Sequence, residues 1–183
     1  SDPQAREKAL AQLHAGIDRA SRLVDQLLTL SRLDSLDNLD DVEPITLADL
    51  LQSAVLDIWH PAQQAGIDIR LINHAPQVKR QGQPLLLSLL VRNLLDNAIR
   101  YSPRGSVVDV TLDARSFSVR DNGPGVDPEV LARIGERFYR PPGQNATGSG
   151  LGLSIVRRIA ALHGMHVSLS NAAEGGFELK VSW

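Results

Sequence analysis

The chain has 183 residues, 43% of them hydrophobic and 22% charged, which is enough apolar material for one folded core of about 130–150 residues with an appended element. Its formal net charge of −2 provides no general attraction for nucleic acid or anionic lipid, so we expect neither as a partner. The chain contains no cysteine, which excludes disulfides and cysteine-based metal sites and suits a reducing compartment, and no apolar run approaches the 18 or so residues of a membrane span.

A long helix is predicted for residues 3–36, which include a single glycine, Gly16. Apolar residues recur there at alternating spacings of three and four, which is the pattern of a coiled-coil seam. Because the opposite face is polar, so narrow a stripe needs a partner helix elsewhere. The seam comprises Leu10, Leu13, Ile17, Ala20, Val24 and Leu27. The chain also opens without an initiator methionine or a signal-peptide pattern, which predicts a piece of a longer protein.

The acidic stretch 37–44 predicts a linker to a globular part that begins at residue 45. Thr46 has the position of a helix N-cap, and apolar residues keep helical period after it. Pro61 either ends this helix or kinks it, since proline removes a backbone donor and clashes with the preceding turn. We favour a kink, with the helix resuming as far as Gly66.

The remaining elements predict an α+β sandwich, with a mixed sheet that carries helices on one face. Residues 67–72 alternate as a strand does, and Val78 indicates a short second strand. The later elements are a helix at residues 83–101 that is apolar on more than one side, a hairpin of residues 107–112 with 117–120, a short helical piece near 129–138, a helix at 151–163, and a hairpin of 167–169 with 177–181. The loop from 122 to 148 is long enough to be a lid.

A first polar cluster lies on the apolar helix. Asn93 and Asn97 are four residues apart, so their amides share one helical face at a separation of roughly 6 Å, with Arg100 one turn along. Two oxygen donors beside a cation suit a hydrated Mg²⁺ that bridges phosphates. The alternative is a helix whose asparagines merely face solvent.

A second cluster follows a predicted strand at residues 121–125. The Asp121 carboxylate at a strand end can accept a hydrogen bond from an exocyclic amine, and the flanking glycines allow a flat ring such as adenine to approach the backbone closely. The alternative is a common Asp-Asn-Gly turn. A third cluster at residues 137–141 contains Phe138 and Tyr139, for which an ordinary aromatic anchor is an equal alternative.

The fourth cluster is the glycine-rich stretch at residues 148–153, which opens a predicted helix. Free backbone N–H groups at such a helix start can bind an anion, so phosphate is the expected ligand. The stretch is neither a G-x-G-x-x-G segment after a strand nor a P-loop with its lysine, which excludes Rossmann and Walker sites.

In this order the four clusters resemble the N, G1, F and G2 boxes of the ATP-binding domain of two-component sensor histidine kinases, in the superfamily shared with gyrase, heat-shock protein 90 and the MutL proteins. The resemblance covers residues 42–183, and residues 23–32 are similar to the end of the second helix of the family's dimerisation and phosphotransfer hairpin. It implies a Bergerat-type α/β sandwich preceded by a coiled-coil-like helix. The implied division is 1–36 for that partial hairpin, 37–44 for the linker and 45–183 for the catalytic domain.

The resemblance also implies ATP and Mg²⁺ as cofactors, with Asn97 and Asn93 on the metal. Arg100 would meet phosphate, Tyr101 would lie near the base, and Asp121 would bind the adenine amine. The full set of implied ATP-site residues is Asn93, Asn97, Arg100, Tyr101, Asp121, Gly123, Gly125, Val126, Phe138, Tyr139, Arg140, Gly148, Ser149, Gly150, Leu151 and Gly152. The implied partners are the receiver domain of a response regulator and a second copy of the full-length protein. The implied location is a cytoplasmic domain of a protein in the bacterial inner membrane.

One departure limits the implied activity, which is transfer of the ATP γ-phosphate to a histidine and then to an aspartate. The family's acceptor is a histidine followed by Glu or Asp and then Leu-Arg-Thr/Ser-Pro, and none of the five histidines has that context: His14, His60, His74, His163 and His166. We therefore expect this chain to bind ATP without phosphorylating itself. The alternatives are an ATPase of the same superfamily, against which Asn93 counts because the ATPases have a glutamate there, and a helical interaction module with a degenerate nucleotide pocket.

Overall fold

Residues 3–140 and 148–183 are described by the computed structural model, and they form five helices and seven strands. The helices are α1 (Pro3–Asp34), α2 (Leu47–Ala65), α3 (Pro84–Tyr101), α4 (Pro128–Arg133) and α5 (Gly152–Leu162). The strands are β1 (Glu43–Thr46), β2 (Asp68–Asn73), β3 (Lys79–Gly82), β4 (Val107–Asp113), β5 (Ser116–Asp121), β6 (His166–Asn171) and β7 (Phe177–Ser182). None of the helices in these two ranges has the length and apolar character that a membrane crossing requires.

The main sheet has the strand order β2-β4-β5-β7-β6, in which β2 and β4 are parallel and the other neighbours antiparallel. Side chains alternate between its faces, so Val108, Val110 and Leu112 of β4 are buried while the residues between them are partly exposed. Helices α2, α3 and α5 contact the buried face. The predicted mixed sheet with helices on one face is confirmed.

Helix α3 lies at the centre of the helical layer, between α2 and α5. Its buried residues share one broad face, and the partly buried Leu86, Leu89 and Ile99 extend the apolar surface to other sides, as its sequence predicted. The buried residues are Leu87, Leu90, Val91, Leu94, Leu95 and Ala98. The polar residues of its C-terminal half therefore project from a rigid support.

Helix α1 is exposed along most of its length and buried at its end. Leu13 and Ile17 of the predicted seam are 63% and 61% exposed, whereas Leu30 and Leu33 are 3% and 2% exposed and belong to the main core. Arg158 of α5 fixes this end, since its guanidinium donates to the carbonyl oxygens of Leu33, at 3.0 Å, and of Leu36. The sequence did not predict this attachment.

Several local boundaries differ from the predictions. The predicted linker ends inside β1, which begins at Glu43 and pairs with β3, while the division of the chain into domains stays a prediction. Thr46 is the N-cap of α2 but makes no side-chain capping bond, and α2 continues through Pro61 to Ala65, as favoured. The helical piece predicted near 129–138 is shorter than expected. It ends with α4 at Arg133, because the chain turns at Gly135 with a φ of 98°. Residues 141–147, including Pro141 of the third cluster, lie outside the described residues.

Candidate functional site

A cavity of about 450 Å³ lies between the C-terminal half of α3, the end of β5, the turn after it, and the segments before and at the start of α5. Eleven of the sixteen predicted site residues line it: Asn93, Asn97, Arg100, Tyr101, Asp121, Gly125, Val126, Tyr139, Ser149, Gly150 and Gly152. All four sequence clusters thus contribute to one site, although they are spread over some sixty positions of the chain.

The two asparagines of α3 point their amide oxygens towards the start of α5. Asn93 donates from Nδ2 to the carbonyl oxygen of Leu89, at 2.8 Å, which leaves its Oδ1 facing the cavity. A Cβ placed on Gly152 would lie 3.2 Å from Asn93 Oδ1 and 3.7 Å from Asn97 Oδ1. The two oxygens therefore converge on the backbone at one point, where a side chain at position 152 would crowd them.

The Asp121 carboxylate is held at the other end of the cavity by backbone donors. Its Oδ1 accepts from the N–H of Gly123, at 2.7 Å, and from the N–H of Phe177, at 3.3 Å. Its Oδ2 has no hydrogen bond to any of the described residues. Asp121 is thus fixed in orientation and keeps one oxygen for a ligand.

The segment 124–127 forms the wall next to Asp121. Gly125 has a φ of 79°, and Val126 is bonded through both its N–H and its carbonyl to the side-chain amide of Asn171, at the end of β6. Sequence reasoning missed Asn171, because nothing local indicates which backbone group a side chain at a strand end will reach.

The glycine-rich stretch brings the start of α5 against α3. A Cβ on Gly148 would lie 2.9 Å from Arg100 Nη1 and 3.1 Å from the Tyr101 hydroxyl, so glycine allows this close approach. Ser149 Oγ accepts from the N–H of Leu151, at 3.1 Å, and donates to Oε1 of Gln26 of α1. Gln26 therefore also lines the cavity, a role that no pattern in the sequence predicted.

The segment 134–139 closes the cavity opposite α3. The Tyr139 ring lies under the Arg133 guanidinium, 4.2 Å from centroid to Cζ, and the Phe138 N–H donates to the Gly150 carbonyl at 3.1 Å. Phe138 is 56% exposed and has a φ of 66°, which is unusual for a residue with a Cβ. The two segments on either side of residues 141–147 are thus joined to each other.

Five predicted site residues lie outside the cavity lining. Gly123 and Gly148 lie beside it, Leu151 is buried under the first turn of α5, and Phe138 and Arg140 line a neighbouring surface cavity. Their roles in binding ATP stay predictions.

An additional acidic group, Asp96, also lines the cavity. Burial raises the pKa of the Asp96 carboxyl above its ordinary value of 3.8, and the charges of Arg92 and Arg100 act in the opposite direction. With Arg100 on the same helix, the α3 wall carries charges of both signs beside the amide pair.

Comparisons with known proteins identify a family and similar structures. Residues 82–183 match the family described as "Histidine kinase-, DNA gyrase B-, and HSP90-like ATPase". The whole chain is 79% identical to sensor protein QseC of Salmonella typhimurium over 182 residues, and it spans 40% of the length of that relative. Among solved structures, the cytoplasmic segment of histidine kinase QseC has 64% identity and a TM-score of 0.67, covering 91% of this chain and 93% of that one. Full-length ShkA in complex with AMPPNP has 28% identity and a TM-score of 0.80, covering 98% of this chain and 38% of that one.

Proposed function

Because the chain belongs to the histidine kinase-, DNA gyrase B- and HSP90-like ATPase family, we propose that it is the ATP-binding catalytic part of a two-component sensor histidine kinase. The proposal rests on one observation. The paired amides of α3, the Asp121 carboxylate and the glycine-rich start of α5 all line the same cavity. A nucleotide offers complementary groups in that order, since a metal-bound polyphosphate and an amine-bearing base lie at its opposite ends. The resemblance read from the sequence and the predicted fold class are both confirmed.

The residues present fit a Mg²⁺–ATP complex by the chemistry of their donors. Asn97 and Asn93 offer neutral oxygens, which suit a metal ion that keeps several of its waters and the phosphate oxygens as ligands. Bound there, Mg²⁺ would neutralise negative charge on the phosphates. The start of α5 and Arg100 would orient the phosphates, Asp121 Oδ2 would accept a hydrogen bond from the adenine amine, and Tyr101 would lie beside the base.

Transfer of phosphate, in preference to hydrolysis, follows from the chemistry of Asn93. The superfamily's ATPases have a glutamate at this position as the base that activates water, and a neutral amide cannot accept that proton. The Asn93 amide is also turned by its bond to Leu89, which directs its nitrogen towards the helix backbone. We expect slow release of inorganic phosphate by the purified chain, and rapid turnover would favour the ATPase alternative.

The acceptor histidine comes from outside the site. None of the five histidines, all of which lie among the described residues, lines the cavity, and none has the family's acceptor context. We infer that this chain holds ATP for a histidine on another segment, from which phosphate passes to an aspartate in the receiver domain of a response regulator. The exposed seam of α1 supports homodimer formation by the longer protein. The similarity to sensor protein QseC and to the cytoplasmic segment of that kinase supports a cytoplasmic domain of a protein in the bacterial inner membrane.

The direct test is titration of the purified chain with a fluorescent ATP analogue, with and without Mg²⁺. We expect saturable binding that Mg²⁺ strengthens, loss of the Mg²⁺ effect in Asn97→Ala, and weaker binding in both conditions in Asp121→Asn. The amide introduced by Asp121→Asn would keep an oxygen for Gly123 and Phe177 but would offer the base a donor where an acceptor is needed. Asn73→Ala, at the far edge of the sheet, is the control.

Two results would contradict the proposal. Absence of saturable binding in the unmodified chain would favour an interaction module with a degenerate pocket. Binding that is unchanged in both Asn97→Ala and Asp121→Asn would place the nucleotide elsewhere.

A further inference from the structure

The side chain of Asn171 forms a two-bond clamp on the backbone of Val126. Its Oδ1 accepts from the Val126 N–H, at 2.8 Å, and its Nδ2 donates to the Val126 carbonyl, at 2.6 Å. The two residues are 45 positions apart, so the clamp joins the turn after β5 to the end of β6. Both polar groups of one backbone residue are thus satisfied by one side chain.

A planar amide suits this position for a chemical reason. β6 is the edge strand of the sheet, with β7 on one side and no strand of the described residues on the other. The backbone of the turn bonds to β4 at Asn122, whose N–H donates to the Val107 carbonyl at 3.1 Å. Further along, at Val126, the partner is the Asn171 side chain, which holds a donor and an acceptor in one plane as a strand backbone does. The backbone at Gly125 must also lie close to the Asn171 side chain, since a Cβ on Gly125 would lie 2.9 Å from Asn171 Oδ1.

The clamped turn forms one wall of the cavity, although Asn171 itself does not line it. Gly125, Val126 and Asp127 all line the cavity, and Asp127 Oδ1 also accepts from the Glu129 N–H, at 2.8 Å, which caps α4. The Val126 clamp therefore fixes both the wall beside Asp121 and the point at which α4 begins. No residue of α4 is buried, so hydrogen bonds such as these contribute to holding this wall.

We propose that Asn171 is a positioning residue of the nucleotide site, which sets the base-facing wall by holding Val126. This inference rests on the proposed binding of ATP and adds to it a residue that acts without touching the nucleotide. Asn171 fixes the distance between the turn and Asp121, so it governs affinity for the adenosine part of the ligand and leaves the metal end on α3 unaffected.

The test is Asn171→Asp, which keeps the shape of the side chain and its acceptor but replaces the donor to the Val126 carbonyl with a second oxygen. Repulsion between these oxygens opens the clamp, and we expect about tenfold weaker binding of the fluorescent ATP analogue. The ratio of affinities with and without Mg²⁺ stays unchanged, and ADP loses as much affinity as ATP does. Asn171→Ala, which removes both bonds, shows the same pattern.

Asn73 provides a matched control, because it ends the edge strand on the opposite side of the sheet. Its Oδ1 accepts from the Ala75 N–H at 3.1 Å, a bond that Asn73→Asp retains. We expect wild-type affinity in Asn73→Asp. Amide exchange of Val126 provides a second readout. We expect this exchange to accelerate in both Asn171 variants, while the midpoint of urea unfolding stays close to that of the unmodified chain. A general loss of structure would change both measurements.

The outcomes separate the inference from the function on which it rests. Wild-type affinity in both Asn171 variants, with ATP binding intact in the unmodified chain, overturns the inference alone. A loss of affinity that follows a lowered unfolding midpoint, or that changes the Mg²⁺ ratio, also overturns it. Failure of the unmodified chain to bind the analogue overturns the proposed function instead.

Discussion

The two walls of the cavity are held in place by different forces. The α3 wall carries Asn93 and Asn97 on a helix with six buried apolar residues, whereas α4 on the facing side has none. That facing wall depends on individual polar contacts, such as Asn171 with Val126 and Phe138 with Gly150. Burial fixes the amide pair in one geometry, and a few hydrogen bonds allow the wall opposite to rearrange at low cost in free energy.

The largest expected effect is on the buried wall. Leu94 is fully buried next to Asn93, so Leu94→Ala should lower the free energy of unfolding by about 2–5 kcal/mol. Leu131→Ala, on partly exposed α4, is the matched control and should cost less than about 1 kcal/mol. Urea unfolding measures both, and equal losses would mean that burial does not distinguish the two walls.

A second variant tests the polar wall. A Cβ on Gly150, which has a φ of 73°, would lie 2.8 Å from the Phe138 carbonyl carbon. Gly150→Ala should therefore displace the segment that Phe138 and Gly150 join and weaken ATP-analogue binding by about tenfold.

Gly164→Ala is the control for the backbone effect alone. Gly164 has a φ of 64°, but a Cβ placed on it would meet nothing within 4 Å, so the substitution should cost about 1 kcal/mol of stability without a change in affinity. Equal affinity in the Gly150 and Gly164 variants would contradict the role of the Phe138 contact.

A third variant tests how α1 is attached. Arg158→Ala removes the donors to the carbonyl oxygens of Leu33 and Leu36, so docking of the α1 end should weaken by about 1 kcal/mol. Faster amide exchange in residues 29–36 would report this change. Arg157→Ala, whose guanidinium instead contacts the Ile134 carbonyl, should leave that exchange unaltered.

The smallest expected effect concerns pH and the support of α3. The buried His163 accepts from the Gln83 N–H, at 3.1 Å, and donates from Nδ1 to the Ile159 carbonyl, at 2.7 Å, which joins the end of α5 to the start of α3. Burial lowers the pKa of His163 below 6.5, against the opposing effect of the bond to Ile159.

The sign of the pH dependence follows from that direction. Below about pH 6.5 the unfolded chain binds a proton at His163 more readily than the folded chain does, so this contribution to stability is present above that pH and is lost as the pH falls through the lowered pKa. His163→Gln should show a shallower fall in unfolding midpoint between pH 7.5 and 5.5 than the control His166→Gln on exposed β6. Parallel profiles would contradict this assignment.

Local signals predicted the parts of the site that lie within one element. The spacing of Asn93 and Asn97 placed two amides on one helical face, and the glycines at 148–152 indicated a helix start that is open to an anion. Contacts between distant elements had no such signal. Ser149 and Gln26 are 123 positions apart and Gln83 and His163 are 80 apart, and neither pair is marked by composition or period.

The sequence by itself determined most of the elements, the α+β class and the four clusters of the candidate site, because helical and strand periods and turn residues depend on near neighbours along the chain. Only the tertiary structure decided that Leu30 and Leu33 of α1 enter the core, that Gln26 reaches the cavity and that Asn171 clamps Val126. These contacts depend on how the elements pack, and packing is set by the shape of the whole core and not by any one segment.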